Sequence, residues 1–332
     1  MAMVFLAAGL LAGPCQPALF GAILGPAAGG TSSGGGCGMR FGIMAMQLGL
    51  ILPSGEDTDR QALLRRIDEF DVAALVARLA DAGFKLIELN SELELFLPGC
   101  FDVAAVERLA TLRAERGLTY TVHLPLWSLE PATPAQHVRE GSVAALADAL
   151  ARLAPLEPET FVLHTTGALA GEFSRAHLPR AAKGLILERL HEMARKSLGS
   201  LLERTQVPTR RLALENVEFP LEMTVALAEE FDCSLCLDTG HVLAGYSGER
   251  SLPEALELFL PRLAEVHLHD GFRRGEGSSI VVADHLRLGR GDLPLAWLLA
   301  RLSQAGYERP IILELMVEDA LASLAEAEAV SG

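Results

Sequence analysis

The chain of 332 residues is poor in positive charge, with 28 lysines and arginines against 43 acidic residues and a formal net charge of −15. Such a surface repels a nucleic-acid backbone, which argues against non-specific DNA binding and leaves open only a metal-mediated contact to a single phosphate. There is no basic, aromatic-bearing arm suited to DNA. Cysteines are few and odd in number: Cys15, Cys37, Cys100, Cys233 and Cys236 are scattered and describe no disulfide framework. A reducing, cytoplasmic setting is the expectation. After residue 38 no segment approaches 18 uncharged apolar residues, so no transmembrane span is predicted. No G-x-G-x-x-G follows an early strand, which removes the main signature of a doubly wound dinucleotide-binding sheet.

Residues 1–38 lack any charged side chain and are rich in Gly and Ala, with a TSSGGG run. The stretch MVFLAAGLLAG has the look of a secretory apolar region, but no basic residue precedes it and the first Lys or Arg is Arg40. The expectation is a disordered leader, or a start assigned upstream of Met39, followed by one domain over 39–332.

From Arg40 onward, short runs rich in Val, Ile, Leu and Thr alternate with Ala/Leu/Glu/Arg segments of helical period, the pattern of repeated βα units. Eight candidate strands emerge: 40–46, 84–90, 118–124, 160–166, 211–217, 234–240, 263–269 and 310–316. Helices such as VAALVARLADAG and AAVERLATLRAERG each close on the glycine expected just past a helix end. Eight parallel strands with covering helices close most naturally into an α/β barrel of the (β/α)₈ kind, with a doubly wound sheet as the alternative.

In such a barrel the carboxyl ends of the strands converge on one mouth, where polar residues need a reason beyond packing. His123, His164, Glu215, Asp238, His241, His267, His269, Asp284, His285 and Glu314 all fall at strand ends or in the loops that follow. One histidine at such a place is more often a hydrogen-bonded core residue than a ligand. Several imidazoles and carboxylates sharing one partly buried mouth are a different matter, because desolvated carboxylates repel unless cations intervene. His and carboxylate without thiolate suit Zn²⁺, Mn²⁺, Fe²⁺ or Co²⁺. Alternation places His267 and His269 on one face, and Cys236 with Asp238, whereas Cys233 and Cys236 face oppositely, so the C-x-x-C reads as strand packing. Glu88 and Asn90 share a face at the second strand's end and are candidates to hold substrate. Gly289, Arg290 and Gly291 form a loop whose backbone N–H groups could approach a phosphate. Asp292, before Leu293 and Pro294, reads as a helix N-cap.

The ordered motifs VHLPL (122–126), VLHTTG (162–167), LALENVE (212–218), CLDTGH (236–241), VHLHD (266–270), DHLRLGRGD (284–292) and ILEL (312–315) resemble the xylose isomerase-like barrel superfamily. That superfamily includes class II apurinic endonucleases and sugar-phosphate isomerases and epimerases. The resemblance implies a one-metal set of Glu215, Asp238, His267 and Glu314. The endonuclease branch adds histidines, so His123 and His164 would share a second metal with Glu215, and His241 with His285 would hold a third. Where the branch has an aspartate before that histidine, this chain has Ala283, which leaves open whether Asp284 substitutes. ENVEFPLE, CLDTGHVL and VHLHDG look most like the cobamide-remodelling phosphodiesterases.

These readings predict a metal-dependent phosphodiesterase carrying one to three divalent ions, zinc or manganese foremost. Its substrate would be a small phosphodiester, foremost the nucleotide loop of a cobamide. Glu215, Glu314 and His267 are the catalytic candidates. Glu88, Asn90, His269, Asp284 and Arg290 are the candidates to hold substrate. The alternatives are a sugar or sugar-phosphate isomerase or epimerase with Glu215 and Glu314 as acid and base, an apurinic-site endonuclease, and a non-catalytic metal or corrinoid binder.

Overall fold

The computed structural model describes residues 38–47, 49, 59–275 and 279–331. The expectation for the leader therefore lies, Gly38 apart, outside the described residues. Eight parallel strands close a barrel: β1 (Arg40–Met44), β2 (Leu86–Asn90), β3 (Thr119–His123), β4 (Phe161–Leu163), β5 (Leu212–Glu215), β6 (Ser234–Asp238), β7 (Leu263–Leu268) and, later in the chain, β10 (Pro310–Leu313). Each pairs with its neighbour in sequence, and β10 closes the ring between β7 and β1, with Phe41 opposite Ile311 and Ile311 opposite Val266. The expected (β/α)₈ architecture is the one observed.

The covering helices form where the sequence supplies caps and an apolar face. Asp71 accepts the N–H of Ala73 at 2.9 Å to start Val72–Asp81, and Asp102 accepts that of Ala105 at 2.7 Å to start Val103–Arg116. Val72, Leu75, Val76 and Leu79 bury one side of the first of these helices against the barrel. Gly83 and Gly117, the glycines expected to end these two helices, both have positive φ, 110° and 63°.

Strand alternation divides the interior. Outward-facing leucines and isoleucines join the helices in one large core. Inside the barrel, Val162, Ala213, Cys236 and Ala264 form a small apolar cluster of their own. Two residues further along, toward the carboxyl ends, stand Glu215 on β5, Asp238 on β6 and His164 just past β4. Cys233 and Cys236 are both free and buried, the first just before β6 and the second within it.

Two readings of the sequence need correction. The stretch around Asp284 is not a plain loop: β8 (Asp270–Arg274) and β9 (Val281–Leu286) pair antiparallel as a separate two-stranded sheet. Asp292 is not a helix N-cap either. The helix begins at Leu295 after Pro294, and the Asp292 carboxylate accepts a hydrogen bond from Arg274 at 2.9 Å.

The barrel wall is tightest at Gly42, where a Cβ would lie 2.6 Å from the backbone oxygen of Leu86 and 2.8 Å from Cδ1 of Ile312. A backbone atom cannot swing aside, so Gly42→Ala is expected to destabilise the fold by about 1–3 kcal/mol with an unchanged denaturant m-value. An unaltered unfolding midpoint would contradict this packing.

Candidate metal centre

The parallel strands deliver their last residues to one place. Glu215, the final residue of β5 and 2% exposed, is the hub. Its Oε2 lies 2.9 Å from Nε2 of His164, 3.3 Å from Nε2 of His123 and 3.5 Å from Nδ1 of His267. Its Oε1 lies 3.1 Å from Nδ1 of His241. Glu314, just past β10, faces the same group from the other side, with Oε1 3.3 Å from Nδ1 of His267 and Oε2 3.4 Å from Nε2 of His285. Asp238, ending β6, approaches His241 at 3.5 Å and His269 at 2.9 Å. Asp284 reaches His285 at 3.1 Å and His241 at 3.9 Å.

Six histidines and, with Glu88, five carboxylates form one set of contacts, and beside Glu88 and His267 lies a further buried carboxyl, Glu265, which burial pushes up toward its neutral form. Among the described residues no lysine or arginine forms an ion pair with any of them. With every imidazole neutral the set carries five negative charges. Two bare carboxylates at ~4 Å repel by roughly 4 kcal/mol at an effective dielectric of 20, a large part of a domain's stability of about 5–15 kcal/mol, so protons or cations must neutralise them.

The hydrogen bonds outside the cluster show which nitrogens are free. His123 turns Nδ1 to the carbonyl of Leu124 at 2.9 Å, which places the proton of the neutral ring there, so that loss of the Nε2 proton leaves a lone pair facing Glu215. His267 turns Nε2 to Glu88 at 3.2 Å, leaving Nδ1 bare between Glu215 and Glu314. Nδ1 of His241, Nδ1 of His267 and Oδ2 of Asp284 are buried without a hydrogen-bond partner. Groups with ligand atoms within 4.8 Å of one another include His123, His164 and Glu215, then His123, His267 and Glu314, and also His241, His269 and His285. Orphaned buried donor atoms of this kind fit divalent cations.

Not every expected residue meets the cluster from the substrate side. Glu88 and His269 are both 0% exposed, as are His267 and Asp238. Asn90 uses its Oδ1 to accept the N–H of Glu92 at 3.0 Å. Arg290 is exposed, and among the described residues its side chain forms no ion pair. The loop it occupies is not an open cradle of N–H groups: Arg290 donates its amide to Arg287 and Gly291 donates to Asp270 Oδ2. Other residues escaped the sequence reading. Asn216 brackets the main chain of Asp238, accepting its N–H at 2.7 Å and donating to its carbonyl at 3.0 Å. Gln47 ties β1 to the segment after Glu314, donating to Leu315 and accepting from Val317. Glu218 accepts from the hydroxyl of Thr166, and burial pushes its carboxyl up. The signal for Asn216 and Gln47 was their polarity directly after strand ends; Glu218 gave none.

The profile of the xylose isomerase-like TIM barrel family matches residues 76–330. The chain belongs to this family. Within the xylose isomerase-like fold, similar solved structures include a D-tagatose 3-epimerase-like protein (19% identity, TM-score 0.64, covering 88% of this chain and 97% of that one). Another is endonuclease IV from Thermus thermophilus (22%, TM-score 0.59, 88% and 98%). A third is a further Thermus thermophilus protein soaked with zinc chloride (25%, TM-score 0.57, 80% and 95%). No curated protein sequence matches the chain. As in these barrels the fold is a parallel ring, and no described helix is long and apolar enough to cross a membrane.

The electrostatics of this xylose isomerase-like site set its response to pH. Burial alone would lower the pKa of His123, but its hydrogen bond to Glu215 and the charges of Glu88, Glu215 and Glu314 raise it to about 9. His241 is likewise lowered by burial and raised on balance, by Asp238, Glu215 and Asp284, to about 9. Burial opposes ionisation of Glu215, yet His164, His267 and His123 hold it well below the usual carboxylate range; Asp284, under His285 and His241, is pushed down to about 2. A raised imidazole stabilises the fold fully below its ordinary 6.5 and loses that contribution as pH rises through about 9. Chelator-treated protein is therefore expected to lose thermal stability between pH 6.5 and 9, whereas zinc-loaded protein keeps it and binds metal more tightly as pH rises. A metal affinity that is flat across this interval would overturn the assignment.

Proposed function

We propose that the chain is a metal-dependent phosphodiesterase acting on a small phosphodiester, with the nucleotide loop of a cobamide as substrate. The products would be a cobinamide phosphate and the lower-ligand riboside. The observation that carries this reading is the surplus of donors around Glu215. A single cation held by Glu215, Asp238, His267 and Glu314 leaves His123, His164, His241 and His285 in contact with the same carboxylates, and Asp284 beside His241 and His285. His123 and His164 with Glu215 would hold a second cation, and His241 and His285 with Asp284 a third.

Cations held by these residues would supply the chemistry phosphoester hydrolysis needs, namely binding of phosphate oxygens, a lowered pKa for a water and stabilisation of a leaving oxygen. The chain's own residues prepare that chemistry. Glu215 spans two histidine groups with its two oxygens, so it fixes their separation. Leu124 and Glu88 set the protons of His123 and His267 outward, so bare nitrogens face inward. Burial of the hub carboxylates keeps bulk water from competing for them. The resemblance of ENVEFPLE and VHLHDG to cobamide-remodelling phosphodiesterases is what selects the cobamide among small phosphodiesters.

A second reading, sugar isomerisation or epimerisation, is favoured by the placement of Glu215 and Glu314 on either side of Nδ1 of His267, at 3.5 and 3.3 Å. Two carboxylates so arranged suit acid and base roles across an enediolate. Metal content separates the readings: two or three equivalents per chain support hydrolysis and one supports isomerisation. Incubation of metal-loaded protein with adenosylcobalamin, followed by chromatography, is expected to yield cobinamide phosphate. Intact substrate with metal bound would overturn the cobamide assignment. His164→Ala is expected to lower hydrolysis by about 10²-fold or more, while a one-metal isomerase would retain most of its turnover.

A further inference from the structure

Among the six clustered histidines of the described residues, His269 is the one with a ring nitrogen that takes a hydrogen bond from a main-chain N–H. Its Nε2 lies 2.9 Å from Oδ2 of Asp238. Its Nδ1 lies 2.8 Å from the main-chain nitrogen of His285. A main-chain amide can only donate, so Nδ1 must offer its lone pair, and the proton of the neutral ring sits on Nε2, aimed at Asp238. The carbonyl of Asp270, 3.4 Å from Nδ1, would ask for the opposite tautomer, but it is the longer contact and the amide cannot reverse its role. No lone pair on this ring remains for a cation or a substrate.

The surroundings are shaped to hold the ring in that pose. Any side chain at Gly240 would drive its Cβ to 2.1 Å from Cε1 and 2.2 Å from Nδ1 of His269. On its other side the ring stacks on His285, with centroids 4.2 Å apart and planes at 16°. Thr239 fixes the backbone beneath: its hydroxyl donates to the carbonyl of His269 at 2.7 Å and takes the His269 N–H at 3.2 Å. The sequence Asp238-Thr239-Gly240 thus serves His269 at each position. The aspartate takes its proton, the threonine anchors its main chain and the glycine clears space for its ring. His285 presents its amide from a left-handed backbone, φ 51°, a conformation that only surrounding contacts sustain in a residue with a side chain.

We propose that His269 is a positioning residue for Asp238, neither a metal ligand nor a substrate contact, held in its Nε2–H tautomer by the main-chain N–H of His285 in space that Gly240 keeps open. Oδ1 of Asp238 is already occupied by the N–H of His241 at 2.6 Å, so His269 is what orients the second oxygen. The proposal rests on the reading of the mouth as a metal centre, and its test reports on metal and tautomer rather than on turnover.

The experiment compares the zinc-loaded wild type with His269→Gln, His269→Leu and Gly240→Ala by metal titration, and reads the wild-type ring by long-range ¹⁵N–¹H correlation. The wild-type spectrum is expected to show His269 neutral, protonated at Nε2 and bare at Nδ1. Glutamine can reach Asp238 with its own N–H, so His269→Gln should retain near wild-type affinity. His269→Leu should weaken the Asp238 cation by about 10–100-fold while the equivalents bound at saturation stay the same. Gly240→Ala, which alters no ligand, should match His269→Leu by displacing the ring, and it stands as the test if the leucine variant does not fold. Loss of one equivalent in His269→Gln, or an unprotonated Nε2 in the wild type, would overturn the proposal. A wild type that binds no metal at all would instead remove the metal-centre reading itself.

Discussion

Concentrated negative charge without a neighbouring lysine or arginine is the constraint that organises this molecule. Five carboxylates meet at the barrel mouth, four of them buried, and the only basic groups beside them among the described residues are imidazoles. A lysine or arginine would have neutralised them permanently. Imidazoles neutralise them conditionally, by holding protons that a divalent cation can displace. The same arrangement that lets the mouth hold protons is the one a divalent cation would use, and Glu215, with histidines on both oxygens, is where the two roles would coincide.

The barrel exists, in this sense, to hold repelling groups together. Residues 92 positions apart, His123 and Glu215, are brought within 3.3 Å because each ends a strand in the same parallel ring. The apolar cluster of Val162, Ala213, Cys236 and Ala264 fills the space below, so the charged side chains cannot relax downward. Hydrophobic burial around the outside of the ring offsets the electrostatic cost inside it, which is why the leucine-rich helices and the acidic mouth are parts of one argument.

Much of this was legible in the residues. The alternation of short β-rich runs with helical ones gave the ring, and polar side chains at the ends of apolar strands gave the cluster, because neither pattern depends on atomic detail. Strand ends ran shorter than the sequence suggested, leaving His164 and Glu314 just beyond β4 and β10, yet their direction was preserved. Asp284 and His285 were harder. VVADHL has strand alternation, but it belongs to a hairpin outside the ring, and a pattern of period two does not say which sheet it joins. Burial of Glu88 and His269 was not legible at all, since it follows from which nitrogen meets which main-chain group. The meaning of Gly240 was hidden for the same reason: its partner, His269, lies far along the chain on another element.

The β8–β9 hairpin gives the centre two supports of unequal kind. Most of the donors stand on strands locked on both sides by parallel partners, whereas Asp284 and His285 ride on a ribbon paired only with itself, pinned at its base where Asp270 accepts the amides of Gly291 and Leu293 at 2.8 and 2.9 Å. Were the mouth to hold cations as proposed, the inner donors would rest on the ring and Asp284 and His285 on the ribbon, so a substitution in the ribbon would disturb one group of donors while leaving the strands that carry the other untouched.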